Sequence, residues 1–228
     1  MAHRISLTGL LTIILGLIVA AFVLMPFFTE VALAAHALRL TVEILLVIAV
    51  WRMSGHRGLL VWVAGIVLVN EVTEWLVLLR PLPGIVVLSE LCTLVFIVTT
   101  ASFIAWTAWR QHDAGAESLI GAVAVYFLIG YFWAGVFSLI EFANPGSISG
   151  VCDPRVDESL DCQPELARYP GLIYFSFVTM TTLGYGDMTP LTRSAQGMAT
   201  MAAVTGQLFI AMVIGRLVSL YMVKRRDD

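Results

Sequence analysis

The sequence predicts an all-α integral membrane protein: six transmembrane helices, with a shorter re-entrant half-helix between the fifth and the sixth. Three observations carry that prediction. Hydrophobic residues make up 59% of the 228 and charged residues only 13%, whereas a soluble domain carries about 25% charged residues. The apolar residues gather into six runs of roughly the 20 residues that a helix needs to cross a bilayer. One further apolar stretch, 172–180, is too short to cross.

The first run, 7–28, follows Met1-Ala2-His3-Arg4. A basic start and small residues at Ala20 and Ala21 are features of a signal peptide, but the run is long and further spans follow it, so it reads as an uncleaved helix. The second, 31–50, stops at Trp51-Arg52, and the third, 58–79, stops at Arg80-Pro81-Leu82-Pro83-Gly84, a Pro/Gly turn. The fourth, 85–109, ends before Arg110-Gln111-His112-Asp113. The fifth, 118–142, leads into a polar segment, 144–170, and the sixth, 194–223, ends at Lys224-Arg225-Arg226. Residues 1–112 form a four-helix domain in this reading, and residues 113–228 a second unit of helix, polar loop, half-helix and helix.

Lys and Arg concentrate on the cytoplasmic side of membrane helices. With the N-terminus inside, the inner segments carry Arg4, Arg52, Arg57, Arg110, Lys224, Arg225 and Arg226, and the outer ones Arg80, Arg155, Arg168 and Arg193. The expectation is a multi-pass protein of the cell membrane with both termini cytoplasmic. The polar loop is then outside, and a disulfide between Cys152 and Cys162 is one reading of it. A bond between subunits and two free thiols are the alternatives. Cys92, inside an apolar run, reads as a small buried hydrophobe.

Between the half-helix and the last helix stands Thr181-Thr182-Leu183-Gly184-Tyr185-Gly186-Asp187. A pore passing a bare cation must replace its water shell with oxygens, and backbone carbonyls stacked in an extended strand supply them. Gly184 and Gly186 permit the unusual dihedrals such a strand needs. Thr182 to Gly186 matches the Thr-Val-Gly-Tyr-Gly signature of potassium channels at every position except Leu183. Residues 118–223 therefore resemble the helix, pore loop, helix module of the tetrameric potassium channel family.

The resemblance implies a four-fold symmetric homotetramer in which Thr182, Leu183, Gly184 and Tyr185 present carbonyls to K+ ions, with Gly186 and Asp187 at the outer mouth. It implies that 172–180 is a pore helix. Tyr174 and Phe175 stand where the family places aromatics that brace the filter, and are expected to pack on Tyr185. Val178 stands where some relatives carry a Glu facing the filter Asp. Gly206 falls at the family's hinge position on the inner helix, or else it permits close helix packing. Gly215-Arg216 lies near the inner end, where a gate is expected.

Voltage-gated relatives carry arginines along the fourth helix. Here 85–109 has no Lys or Arg, so conventional voltage sensing is not expected. Arg39, Glu43, Glu71, Glu74 and Glu90 do fall inside apolar runs. Each costs about 2.5–3.5 kcal/mol at a helix centre on insertion scales, so they should pair or face water. We read them as a charge cluster in the outer half of the membrane, joined by Arg80 and His36. It serves either as a polar staple or as a pH sensor.

The function expected is passive, K+-selective conduction. A weakly selective cation channel is the alternative, since Leu183 is bulkier than Val. An enzyme is not expected: His3, His36, His56 and His112 form no metal or catalytic spacing. No cofactor is implied beyond the permeant ions. The net charge of −3 and the lack of a basic face argue against a nucleic-acid partner, leaving membrane lipids and copies of the same chain as partners.

Overall fold

The computed structural model describes residues 40–48, 57–79, 82–110, 116–151 and 169–227, with residues 12, 15, 16, 19 and 51 singly. After a helical segment over 40–48 come α1 (Arg57–Leu79), α2 (Pro83–Arg110), α3 (Ala116–Ala143), α4 (Tyr169–Met180) and α5 (Arg193–Asp227). Among the described residues, four helices are long and apolar enough to cross a membrane, and α4 is not. They correspond to the third to sixth predicted runs. The first run, most of the second, and the Cys152/Cys162 loop lie outside the described residues.

Local chemistry sets the boundaries. Pro83 opens α2, where its missing N–H costs nothing, and Leu82 O accepts the N–H of Ile85 at 2.9 Å and of Val86 at 3.2 Å. Pro170 lies inside the first turn of α4, one of the few helical positions that tolerate proline, so the half-helix begins earlier than 172. Thr192 caps α5 by accepting the Ala195 N–H on its hydroxyl at 3.3 Å, an N-cap arrangement.

The outer helix α3 is the hub, packing on α2, α4 and α5. One apolar core joins the 40–48 segment, α1, α2 and the first half of α3 around Leu46, Val63, Phe96 and Leu128. A second joins the later part of α3 to α4 and α5 around Phe137, Leu172, Phe175 and Met180. Only residues 111–115 separate α2 from α3, a reach of about 20 Å at full extension, and α2 packs on the α3 of its own chain. The expected domain boundary at 112/113 falls in that connection.

Close approach fixes the α3–α4 crossing. Gly130 leaves the space that the Phe177 ring fills, and a Cβ there would fall inside the ring. Phe127 and Tyr131 flank the same ring at centroid distances of 5.5 and 6.0 Å, and the Ser176 hydroxyl donates to Gly130 O at 2.6 Å. Gly130→Ala should therefore destabilise the protein by about 1–3 kcal/mol, as overpacking does. Gly65→Ala, in open space on α1, should be neutral or mildly stabilising. Thermal unfolding of both variants in detergent checks the contrast.

Candidate functional site

The segment after α4 turns back on the helix that precedes it. Thr182 N–H donates to Thr179 O at 3.0 Å, and the N–H groups of Leu183 and Gly184 both donate to Val178 O, at 2.9 and 3.3 Å. Backbone φ is positive at Thr182 (59°), Gly184 (57°) and Gly186 (82°), and at no other non-glycine residue described. Alternating left- and right-handed residues place successive N–H groups on one side of a strand. The N–H groups of 182, 183 and 184 are thereby committed to α4. Glycine meets that geometry without steric cost, whereas the β-branched Thr182 adopts it at a cost of order 1–3 kcal/mol. The Thr182 hydroxyl bonds Thr181 O at 2.6 Å, which helps hold the conformation.

The segment is open to its surroundings: Leu183 is 54% and Tyr185 68% exposed. The supporting residues divide their tasks. Tyr174 donates its hydroxyl to Asp187 Oδ2 at 2.6 Å, and the other carboxyl oxygen of Asp187 accepts the Met188 N–H at 3.0 Å. The Tyr174 hydroxyl is the first cause holding the Asp187 carboxyl below the usual carboxylate range, with the Met188 N–H acting the same way and partial desolvation opposing both. Phe175 is buried against Phe137 of α3, with ring centroids 4.8 Å apart, and so it anchors the half-helix to the outer helix. Val178 contributes its carbonyl to the turn, and its buried side chain belongs to the packing behind it. Asp187 is thus restrained from position 174, one turn before position 178.

Gly206 lies within the unbroken helix α5, and the place of its missing Cβ is taken by the side chain and carbonyl of Met180, the last residue of α4. Of the two readings of Gly206, close packing is the one with a contact behind it. Gly215 has open space around it.

Among the intramembrane acids, Glu43 is buried and accepts the Asn70 amide at 3.2 Å, while Thr93 donates to Asn70 Oδ1 at 3.0 Å. A polar layer thus runs from the 40–48 segment through α1 to α2. Glu74, one helical turn from Asn70, is buried too, and Glu71 is half-buried. Glu90 reaches to the pore side, accepting the Ser138 hydroxyl at 2.9 Å. Arg39, Arg80 and His36 lie outside the described residues, and no three His, Cys, Asp or Glu among the described residues are gathered as a metal site. Sequence reasoning missed Asn70, Thr93, Gly130, Ser138 and Glu141. Charge drew attention to the acids, and an uncharged amide or hydroxyl in an apolar run gave no comparable signal.

Because Met180 backbone occupies the space beside Gly206, Gly206→Ala must displace the end of α4. We expect loss of about 1–3 kcal/mol of stability. Gly215→Ala should leave it unchanged. Melting temperatures of the two variants, measured side by side, check this.

The comparisons bear on the same stretch. A family described as ion channel matches residues 85–223, which holds α3, α4, the strand and nearly all of α2 and α5. Among curated proteins, potassium voltage-gated channel subfamily A member 10 of Gallus gallus is 38% identical over 71 residues, 31% of this chain and 13% of that protein. The Shaker-related potassium channel tsha2 of Oncorhynchus mykiss is 33% identical over 75 residues, 31% of this chain and 16% of that protein. Potassium voltage-gated channel subfamily A member 6 of Mus musculus is 40% identical over 62 residues, 27% of this chain and 12% of that protein. The matched stretch is a small fraction of each relative's own length. No solved structure matches. With the family's pattern extending over more than half of its length, the chain belongs to the ion channel family.

Proposed function

We propose that four copies of this chain assemble around an axis as a passive, potassium-selective channel of the cell membrane, with both termini cytoplasmic. The observation that carries the reading is the strand 182–186, whose N–H groups at 182, 183 and 184 are donated back to α4. Its carbonyls are left to face whatever lies on the other side. One strand cannot surround an ion. Four, meeting at their carbonyl sides, give the ring of oxygens that replaces a hydration shell.

Irregular backbone at membrane depth is tolerated only where protein or a water-filled pathway covers it, and the exposed strand of a single subunit meets that condition only through neighbours. The relatives named as potassium channels agree with the choice of ion. In this reading Thr182, Leu183, Gly184 and Tyr185 coordinate K+, and α4 directs the negative end of its dipole toward a central cavity. The carboxyl of Asp187 stands at the mouth. Conventional voltage gating is not part of the reading, because α2 holds no Lys or Arg before Arg110.

Reconstituted wild-type protein should carry K+ flux into liposomes with little Na+ flux. Gly184→Asp, placing a side chain where φ is positive, should reduce the flux to background. Equal reversal potentials in K+ and Na+ would instead assign a weakly selective pore, with Leu183 as the first residue to revert to Val.

The Asp187–Tyr174 bond sets a pH dependence. A carboxyl with a lowered pKa keeps its bonded, ionised form above its ordinary titration range and loses it only as pH falls through the lowered value. Through this pair the mouth should therefore hold its conductance across the ordinary carboxylate range, and wild-type conductance should decline only as outer pH falls through the lowered value. Tyr174→Phe removes the first lowering cause, so the decline should move to higher pH. Single-channel conductance against outer pH measures the shift.

A further inference from the structure

The outer end of α3 carries a second carboxyl that the conduction reading does not use. Glu141 is 4% exposed. Its Oε1 accepts the Gly146 N–H at 2.6 Å and its Oε2 the Ile148 N–H at 3.0 Å. The two bonds fold residues 144–148 back over the helix end, and Asn144 O accepts the Ser147 N–H at 3.2 Å and the Ser147 hydroxyl at 2.6 Å.

This turn clasps the chain that leaves the filter. Leu191 N–H donates to Ser147 O at 2.7 Å, and Ser149 N–H to Thr189 O at 2.9 Å. The Thr189 N–H donates in turn to the Ser149 hydroxyl at 2.9 Å, and Ile148 pairs with Pro190. Gly150 lies so close that a Cβ would stand 3.0 Å from Asp187 O. What Glu141 holds in place is therefore the segment 187–191, immediately outside Gly186.

One turn back along α3, Ser138 donates to Glu90 of α2 at 2.9 Å. Beside it, a Cβ on Gly135 would meet Leu94 at 2.9 Å and Glu90 Oε2 at 3.6 Å, so α2 lies tight against this turn. The helix of the four-helix domain that touches the pore module is thus hydrogen bonded to the very stretch of α3 that anchors the outer clasp.

We propose that the Glu90–Ser138 bond lets the four-helix domain act on conduction at the outer mouth, through the clasp that Glu141 holds. The inference rests on the proposed channel function and adds a route of regulation to it. Losing Glu141 would orphan two N–H groups, one of them on a buried residue, and unpaired buried donors are more costly than a missing neutral bond. Losing the Glu90–Ser138 bond would leave the clasp formed but free of α2.

The test is planar-bilayer recording of purified wild-type and variant protein, reading open-period duration at low outer K+ beside unitary conductance and K+/Na+ selectivity. Glu141→Gln, which keeps one acceptor oxygen and turns its own amide N–H toward the other donor, should shorten open periods about tenfold, the larger effect expected for an orphaned donor. Ser138→Ala and Glu90→Leu, which remove the donor and the acceptor of that bond, should each shorten them about threefold, on the scale of one hydrogen bond, with conductance and selectivity unchanged. The Ser138→Ala/Glu90→Leu double variant should be no worse than the more affected single variant, and Ser138→Thr, which keeps the hydroxyl, should restore the wild-type duration.

Wild-type open periods in both Ser138→Ala and Glu90→Leu, or a Ser138→Thr no better than Ser138→Ala, would overturn the coupling. If Glu141→Gln does not assemble, the Ser138 and Glu90 variants still decide it. Absence of K+ current in the wild type would instead overturn the channel reading underneath, which the regulatory variants alone cannot do.

Discussion

Everything in the pore module follows from where the N–H groups of Thr182, Leu183 and Gly184 go. Each backbone N–H at membrane depth must find an acceptor within the protein, since the bilayer core offers none. The last carbonyls of α4 have lost their intrahelical partners, and Thr179 O and Val178 O are the acceptors used. Helix end and strand satisfy one another through these bonds, and in the proposed channel the strand's own carbonyls are left as a row for ions. The alternation of φ through Thr182, Gly184 and Gly186 is the conformational condition for that row. The rest of the described fold bears on holding the end of α4 still.

Three contacts do most of the holding, each with a partner far from the strand in sequence. Gly130 admits Phe177, Phe137 seats Phe175, and Gly206 admits Met180. Two of the three are absences of a side chain, and they bring α3 and α5 each against the half-helix. Small residues that let backbones approach are the usual means of packing helices in lipid, where burial of apolar surface supplies no driving force. Because α4 is fixed from both sides, displacement of α3 or α5 reaches Val178 and Met180, and through them the strand.

What the sequence made legible was whatever composition and spacing encode directly. The hydrophobic runs gave α1, α2, α3 and α5 to within a few residues, because length and apolarity alone decide whether a helix crosses a bilayer. The short run before Thr181 gave α4 for the converse reason, and the glycine spacing pointed to the positive φ values. Uncharged partners across helices were not legible. Phe175 lies against Phe137 of α3, a pairing that depends on which face of the half-helix is presented to α3. The intramembrane acids drew notice because charges are conspicuous. Their partners include the uncharged Asn70, bonded to Glu43, and Ser138, bonded to Glu90, residues with no periodic signature.

The balance of forces also bears on assembly. In one subunit α5 exposes Met201, Leu208, Met212 and Val218, an apolar surface that lipid tails would cover as well as another protein could. Burial of those side chains gives little reason for copies to meet. The strand is different. Its carbonyl side is polar and stands between apolar helices, and lipid offers it neither hydrogen bonds nor charge, a cost of several kcal/mol for each unsatisfied group. In the proposed tetramer, four such rows facing a common axis would exchange that cost for coordination of cations and water. On this argument the tendency to associate resides in the peptide groups from Thr182 to Gly186, while the apolar faces supply fit. An assembled protein whose strands were prevented from adopting the alternating φ pattern would then keep its helices and its apolar surfaces but lose the main reason for its copies to stay together.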